Sequence, residues 1–147
     1  MIRCILIGLI LALMSVIGVN TQESPLRTHL DLPAHGAVVS SEIALQGWVF
    51  NCRLDGQQPY SARVYYTGDD RRLYEARIIR RWNGLRRPDV QSAFRGTCGA
   101  MNAYTGYRLD VTGIPAGARR LIVIEWADAY GFAYSQREFS VPLEVNR

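Results

Sequence analysis

From Ala37 onward, apolar and polar positions alternate in short blocks cut apart by Gly, Pro, Asn and Asp, a pattern of strands joined by turns. VVSSEIALQGWVFNC is rich in β-branched and aromatic residues, with Gly47 a candidate bulge, and LDGQQP closes it as a loop. YSARVYYTG places Ala62, Val64 and Tyr66 on one face and Arg63 and Tyr65 on the other. After a TGDD turn, RRLYEARIIRRW sets Leu73, Glu75 and Arg77 against Tyr74, Ala76 and Ile78. GYRLDVTGIPAG then sets Tyr107, Leu109 and Val111 on one face before a Pro-Ala-Gly turn. RRLIVIEWADAYG is a continuous apolar run, as a strand near the centre of a sheet requires. FAYSQREFSVPLEV closes the chain with Phe139, Val141 and Leu143 at alternate positions. About seven strands in roughly 110 residues predict an all-β, antiparallel sandwich. RPDVQSAF departs from the pattern. Pro88 suits a helix start, Asp89 its first turn, and Val90, Ala93 and Phe94 share helical spacing, which predicts one short helical turn crossing between the two sheets.

The first 36 residues follow other rules. Arg3 and the amino terminus precede an apolar run from Cys4 to Val19, and polar NTQES follows. That is the layout of a signal peptide, with a run shorter than the roughly 20 residues a spanning helix needs. Val16 and Gly18 are small enough for the −3 and −1 positions, so a signal peptide over 1–18 is expected; the alternative is an uncleaved N-terminal anchor, the one case in which a membrane becomes a partner. Polar, Pro-interrupted residues 19–35 read as a linker, leaving 36–147 as the domain. Cysteine usage agrees with export. Cys4 lies in the signal, and Cys52 and Cys98 are expected to form a disulfide worth about 4 kcal/mol in the chain-entropy model. The expected location is secreted or periplasmic.

The order GWVF, alternating strand, RPDVQSAF, TGYRLDVTGIPAG and LIVIEWADAYG resembles a bacterial immunoglobulin-like domain of exported and cell-surface proteins, a type also found beside glycosyltransferase domains. The matching residues are Gly47, Trp48, Arg87, Pro88, Asp89, Val90, Phe94, Gly106, Leu109, Pro115, Gly117, Asp128 and Gly131, and the resemblance spans about residues 33 to 145. It implies an immunoglobulin-like β-sandwich and carries over no catalytic residue. Such domains are usually repeated or attached to larger bodies, whereas one copy is present here, which argues against a mere spacer.

Hydrophobic residues make up 48% and charged residues 20%, too apolar for disorder. All 17 basic residues are Arg. Eight of them fall between residues 71 and 95 against only Glu75 and Asp89, a local balance of +6. Within this stretch Arg80, Arg81, Trp82, Arg86 and Arg87 are the candidate binding residues. Guanidinium groups pair with phosphate, sulfate or carboxylate, and an indole beside them stacks on a ring. A solvated strand face explains the same charges, and Arg80 and Arg81 must point to opposite faces of any strand they share. Trp48 and Phe50 share a face with Cys52 and read as core beside an inter-sheet disulfide; Trp126 also reads as core.

Catalysis finds little support. His29 and His35 both precede the domain's strands, no Gly-x-Ser-x-Gly is present, and Asp69 and Asp70 sit together in a turn. Those two aspartates, or Asp128, lack the spacing of a calcium loop, and there is no Gly-rich phosphate loop or nucleic-acid motif. The expectation is a non-enzymatic binding module without metal or cofactor. Its partner would be an envelope glycan, a lipid or another exported protein, and the alternative is a structural subunit or an inhibitor acting through the NGLRRP loop.

Overall fold

A computed structural model describes residues 25–59, 61–115, 120–127, 133–139 and 144–145. The signal peptide expected over 1–18, the first part of the linker, the Pro-Ala-Gly turn after Pro115, Asp128, Gly131, Val141 and Leu143 lie outside these residues. The described elements are β1 (Leu26–Leu32), β2 (Val38–Val39), β3 (Ile43–Asn51), β4 (Ser61–Thr67), β5 (Leu73–Leu85), α1 (Pro88–Phe94), β6 (Gly106–Thr112), β7 (Ile122–Ala127), β8 (Ala133–Phe139) and β9 (Glu144–Val145). Seven of them form one sheet in the order β1-β3-β6-β5-β4-β7-β8, with every neighbouring pair antiparallel. The short β2 and β9 make a separate parallel pair. The terminal strands β1 and β8 approach each other, so the sheet curls around its core. The fold is therefore mostly antiparallel β with one short helix.

Strand β5 makes the curl. Its first residues, Leu73 to Ala76, pair with β4, and Arg77 to Leu85 pair with β6, so one continuous strand serves both halves of the sheet. The inner face carries the main core: Ile43, Leu45 and Val49 from β3, Leu109 and Val111 from β6, Val64 from β4, and Ile122 and Ile124 from β7. Tyr107 of β6 meets Trp126 of β7 edge-on at 4.8 Å, joining the two halves across the interior. Trp126 is 1% exposed, as expected of a core residue. The predicted faces of β4, of the start of β5 and of β6 hold, because Ala62, Val64, Tyr66, Ala76, Ile78, Tyr107, Leu109 and Val111 all belong to this cluster.

Three expectations change. The stretch read as a linker contains β1, whose Leu26 and Leu30 enter the core. Pro25 and Pro33 bracket that strand and gave it a broken look in the sequence, yet an edge strand tolerates prolines at its ends. Trp48, Phe50 and Cys52 lie on the outer face of the sheet, opposite the main core. There they pack with Val90, Phe94, Cys98 and Met101 in a second cluster. Helix α1 accordingly joins two strands that are neighbours in one sheet, β5 and β6, and packs on the outer face against Trp48 and Phe50 of β3, so it does not cross between sheets. The Cys52–Cys98 disulfide is formed between residues 46 positions apart, and ties the end of β3 to the turn after α1. A disulfide fits an oxidising compartment. Among the described residues no helix is long and apolar enough to cross a membrane.

Gly47 is needed for a close approach, not for a bulge. It pairs in register with Leu30 and Tyr107, and the irregularity falls on β1 opposite, where Asp31 is the extra residue. A Cβ at Gly47 would lie 2.0 Å from the carbonyl oxygen of His29. Gly47→Ala is therefore expected to lower the unfolding free energy by about 3 kcal/mol, at the upper end of overpacking costs, measured by urea denaturation. An unchanged midpoint would mean that β1 does not lie against β3 at His29. Replacing Cys52 and Cys98 together by Ser is expected to cost up to about 4 kcal/mol in the same measurement.

Candidate functional site

A strand that gains one residue relative to its partner reverses the facing of every side chain that follows. In β5 that residue is Ile79: Ile78 sits opposite Val111, and Arg80 sits opposite Asp110. Arg80 and Trp82 thereby face outward and Arg81 faces inward. A second irregularity follows between Trp82 and Leu85, and the first part of NGLRRP, read as a loop, continues the strand through Gly84, which adopts φ +67°. The side-chain amide of Gln58 fills this gap in the ladder. Its Oε1 accepts from the Gly84 N–H at 2.6 Å, and its Nε2 donates to the Gly106 carbonyl at 2.9 Å.

The five arginine and tryptophan candidates go to different places. Arg81 is half-buried; it donates to Asn83 Oδ1 at 3.0 Å and to the Pro59 carbonyl at 3.4 Å, and burial lowers its pKa. Arg87 is held by two carboxylates. Its Nε and Nη2 bind Asp89 at 2.9 and 2.7 Å, and Nη1 binds Asp31 at the irregularity of β1. The hydrogen bond to Asp89, then that to Asp31, raises the Arg87 pKa. Arg86 is exposed and has no side-chain hydrogen bond or ion pair among the described residues. Only Arg80 and Trp82 come together, with the guanidinium 6.0 Å from the indole centroid.

The structure adds three residues to that pair. The side chain of Asp110 of β6 is 3% exposed; its Oδ1 accepts from Arg108 Nε at 2.8 Å and its Oδ2 forms an ion pair with Arg80 Nε at 3.0 Å. Arg80 also donates through Nη2 to Glu42 at 2.9 Å. Arg108 lies directly opposite Trp82 and places its guanidinium 5.3 Å from the ring centroid. Trp82 is thus flanked by two guanidinium groups that one buried carboxylate positions, while the indole itself stays 40% exposed. Two arginines and two acids make the cluster neutral. Gln46 is the next residue along this cross-strand row, beyond Arg108. Sequence reasoning missed Arg108, Asp110 and Glu42 because they lie far along the chain, two of them on β6 and 26 and 28 positions after Trp82, the third just before β3 and 40 positions before it. The available signal was the alternation of Arg108 and Asp110 against the apolar face of β6.

A separate hollow of about 340 Å³ opens at the β4–β5 turn, lined by Tyr66, Asp69, Asp70, Tyr74 and Arg120 among others. Its polar groups largely satisfy one another: Arg120 binds Asp69 at 2.7 Å, and the Tyr74 hydroxyl donates to Asp70 at 2.7 Å. Among the described residues there is no group of three or more His, Cys, Asp or Glu placed to hold a metal ion.

No family model matches this chain, and no curated protein matches it either.

The Arg87 clamp makes acid stability testable. The hydrogen bonds from Arg87 hold Asp89 at about 2, below the ordinary 3.8. Because folding lowers this pKa, Asp89 stabilises the fold fully above pH 3.8 and loses that contribution as pH falls through about 2. The stability difference between the wild type and Asp89→Asn, taken from denaturant unfolding at pH 6 down to pH 2, is expected to shrink across that window. A difference that stayed constant to pH 2 would mean that the clamp does not form.

Proposed function

We propose that this is an exported, non-enzymatic binding module of the cell envelope, built as an immunoglobulin-like β-sandwich, which engages its ligand on the open outer face around Trp82. The observation that carries the reading is an exposed indole with the guanidinium groups of Arg80 and Arg108 beside it. What sets this exposed aromatic apart is that a buried carboxylate organises its polar neighbours. Export is supported by the leading apolar run and by the Cys52–Cys98 bridge. The immunoglobulin-like reading is supported by the way Trp48, Val90 and Phe94, all part of the sequence resemblance, share the second apolar cluster. The ligand would contact Trp82 by stacking and the arginines by hydrogen bonds. This differs from a polybasic patch, since Arg80 and Arg87 are already neutralised by Glu42, Asp110, Asp31 and Asp89.

One observation favours a structural subunit as the second reading. Beyond Ala76, β5 pairs with β6 on one side and no longer with β4 on the other, which leaves a backbone edge suited to strand addition. The NGLRRP segment is held by Gln58, by its pairing with Gly106 and by the two carboxylates that bind Arg87.

The deciding test is capture of envelope polysaccharide, lipid and protein fractions by the purified, oxidised protein and its Trp82→Ala variant. Polysaccharide capture that the variant loses supports the module. Capture of a protein, equal for both and surviving high salt, moves the function to the β5 edge.

A further inference from the structure

Deepening that reading, and resting on it, we propose that the Trp82 face selects a carboxylated sugar: a hexuronate residue whose ring lies on the indole while its carboxylate is received by Arg108. Asp110 takes the Nε of both arginines. That single choice leaves both terminal nitrogens of Arg108 without a partner among the described residues, next to an exposed ring. A guanidinium anchored through Nε presents its Nη1–Nη2 edge, one of the two edges on which a planar carboxylate binds through paired hydrogen bonds. Arg80 has less to give, since Nη2 is committed to Glu42 and only Nη1 remains. Gln46, beside Arg108 in the row, has an amide with no partner among the described residues and is placed to meet a ring hydroxyl.

Charge selects among the anions. The two acids Asp110 and Glu42 cancel Arg80 and Arg108, so the face offers shaped donors with little net field. A doubly charged phosphate would be repelled by the same carboxylates that position the arginines, whereas a single carboxylate is tolerated. The surroundings select the rest of the ligand. The site is the flat face of a sheet, where an indole meets the C–H face of a pyranose ring. The free strand edge that an extended peptide would need lies to the side of this face, along the other margin of β5.

The test uses the purified, oxidised protein and follows tryptophan fluorescence and titration calorimetry with oligogalacturonate, its methyl ester, a neutral glucan, inorganic phosphate and an acidic peptide. Oligogalacturonate is expected to bind about tenfold or more tightly than its methyl ester, as loss of a charge-assisted pair implies. Arg108→Gln and Trp82→Ala are each expected to weaken it by about the same factor, and Arg86→Gln to leave it unchanged. Moderate salt is expected to weaken binding without abolishing it, because the cluster is neutral. Arg108 is 41% exposed and Asp110 retains Arg80, so the Arg108→Gln variant is expected to keep its fold, checked by its melting profile. Equal binding of acid and ester, an unaffected Arg108→Gln, or preference for phosphate or the peptide would overturn the proposal. Neutral glucan bound through Trp82 as tightly as the uronate would sink the carboxylate inference alone. Failure of every saccharide and every envelope fraction would sink the binding-module reading beneath it.

Discussion

The insertion of Ile79 into β5, opposite the step from Val111 to Asp110, determines which residues the protein shows to solvent along its most basic strand. With strict alternation from Ile78, Trp82 would face the core and Arg81 the exterior. One extra residue exchanges them, and the exchange is coupled to the architecture, because β5 is the strand that serves both halves of the curled sheet. A strand that bends from one partner to another needs a point where the ladder slips. The slip that lets the sheet curl is also the slip that brings an indole next to Arg108.

Charge follows the same logic of sequence against space. The +6 balance between residues 71 and 95 is a property of the linear order only. In the fold, acids from distant segments come to it: Glu42 precedes β3, Asp31 interrupts β1, and Asp110 lies on β6. Arg80 and Arg87 are neutralised, and Arg81 turns toward a backbone carbonyl. Arginine supports this arrangement better than lysine would, since one guanidinium reaches two partners in fixed directions, as Arg87 does between Asp31 and Asp89 and Arg80 between Glu42 and Asp110.

Much of this was legible in the chain. Strict alternation gave the faces of β4, of the start of β5 and of β6, the Pro-Asp start gave α1, and cysteine count gave the bridge. What escaped detection has physical causes. β1 lies between prolines and carries only two inward leucines, so its period is too short to register. The bulge at Ile79 leaves no composition signal, because an exposed Ile inside a strand reads like any other apolar position. The outward placement of Trp48 and Phe50 depends on α1 returning over them, a nonlocal event that face parity alone does not reveal. Asp110 looked like one acid in an alternating strand; its role appears only when Arg80 and Arg108 flank it.

The same outer face is covered at one end and open at the other, and helix length explains the division. α1 has seven residues, about 10 Å at 1.5 Å per residue. That suffices to cover Trp48 and Phe50, with Phe94 meeting them edge-on at 5.5 and 5.1 Å. A helix this short is unstable alone, and here it is fastened at both ends, by Arg87 to β1 before it and by Cys98 to the end of β3 after it. Both fastenings act on the covered end of the sheet. The row of Gln46, Arg108 and Trp82 lies beyond their reach, and Arg108 takes its order from Asp110. Helix α1 thus covers the aromatic cluster that needs burial, and leaves uncovered the part of the face whose arginines are already set in place from beneath.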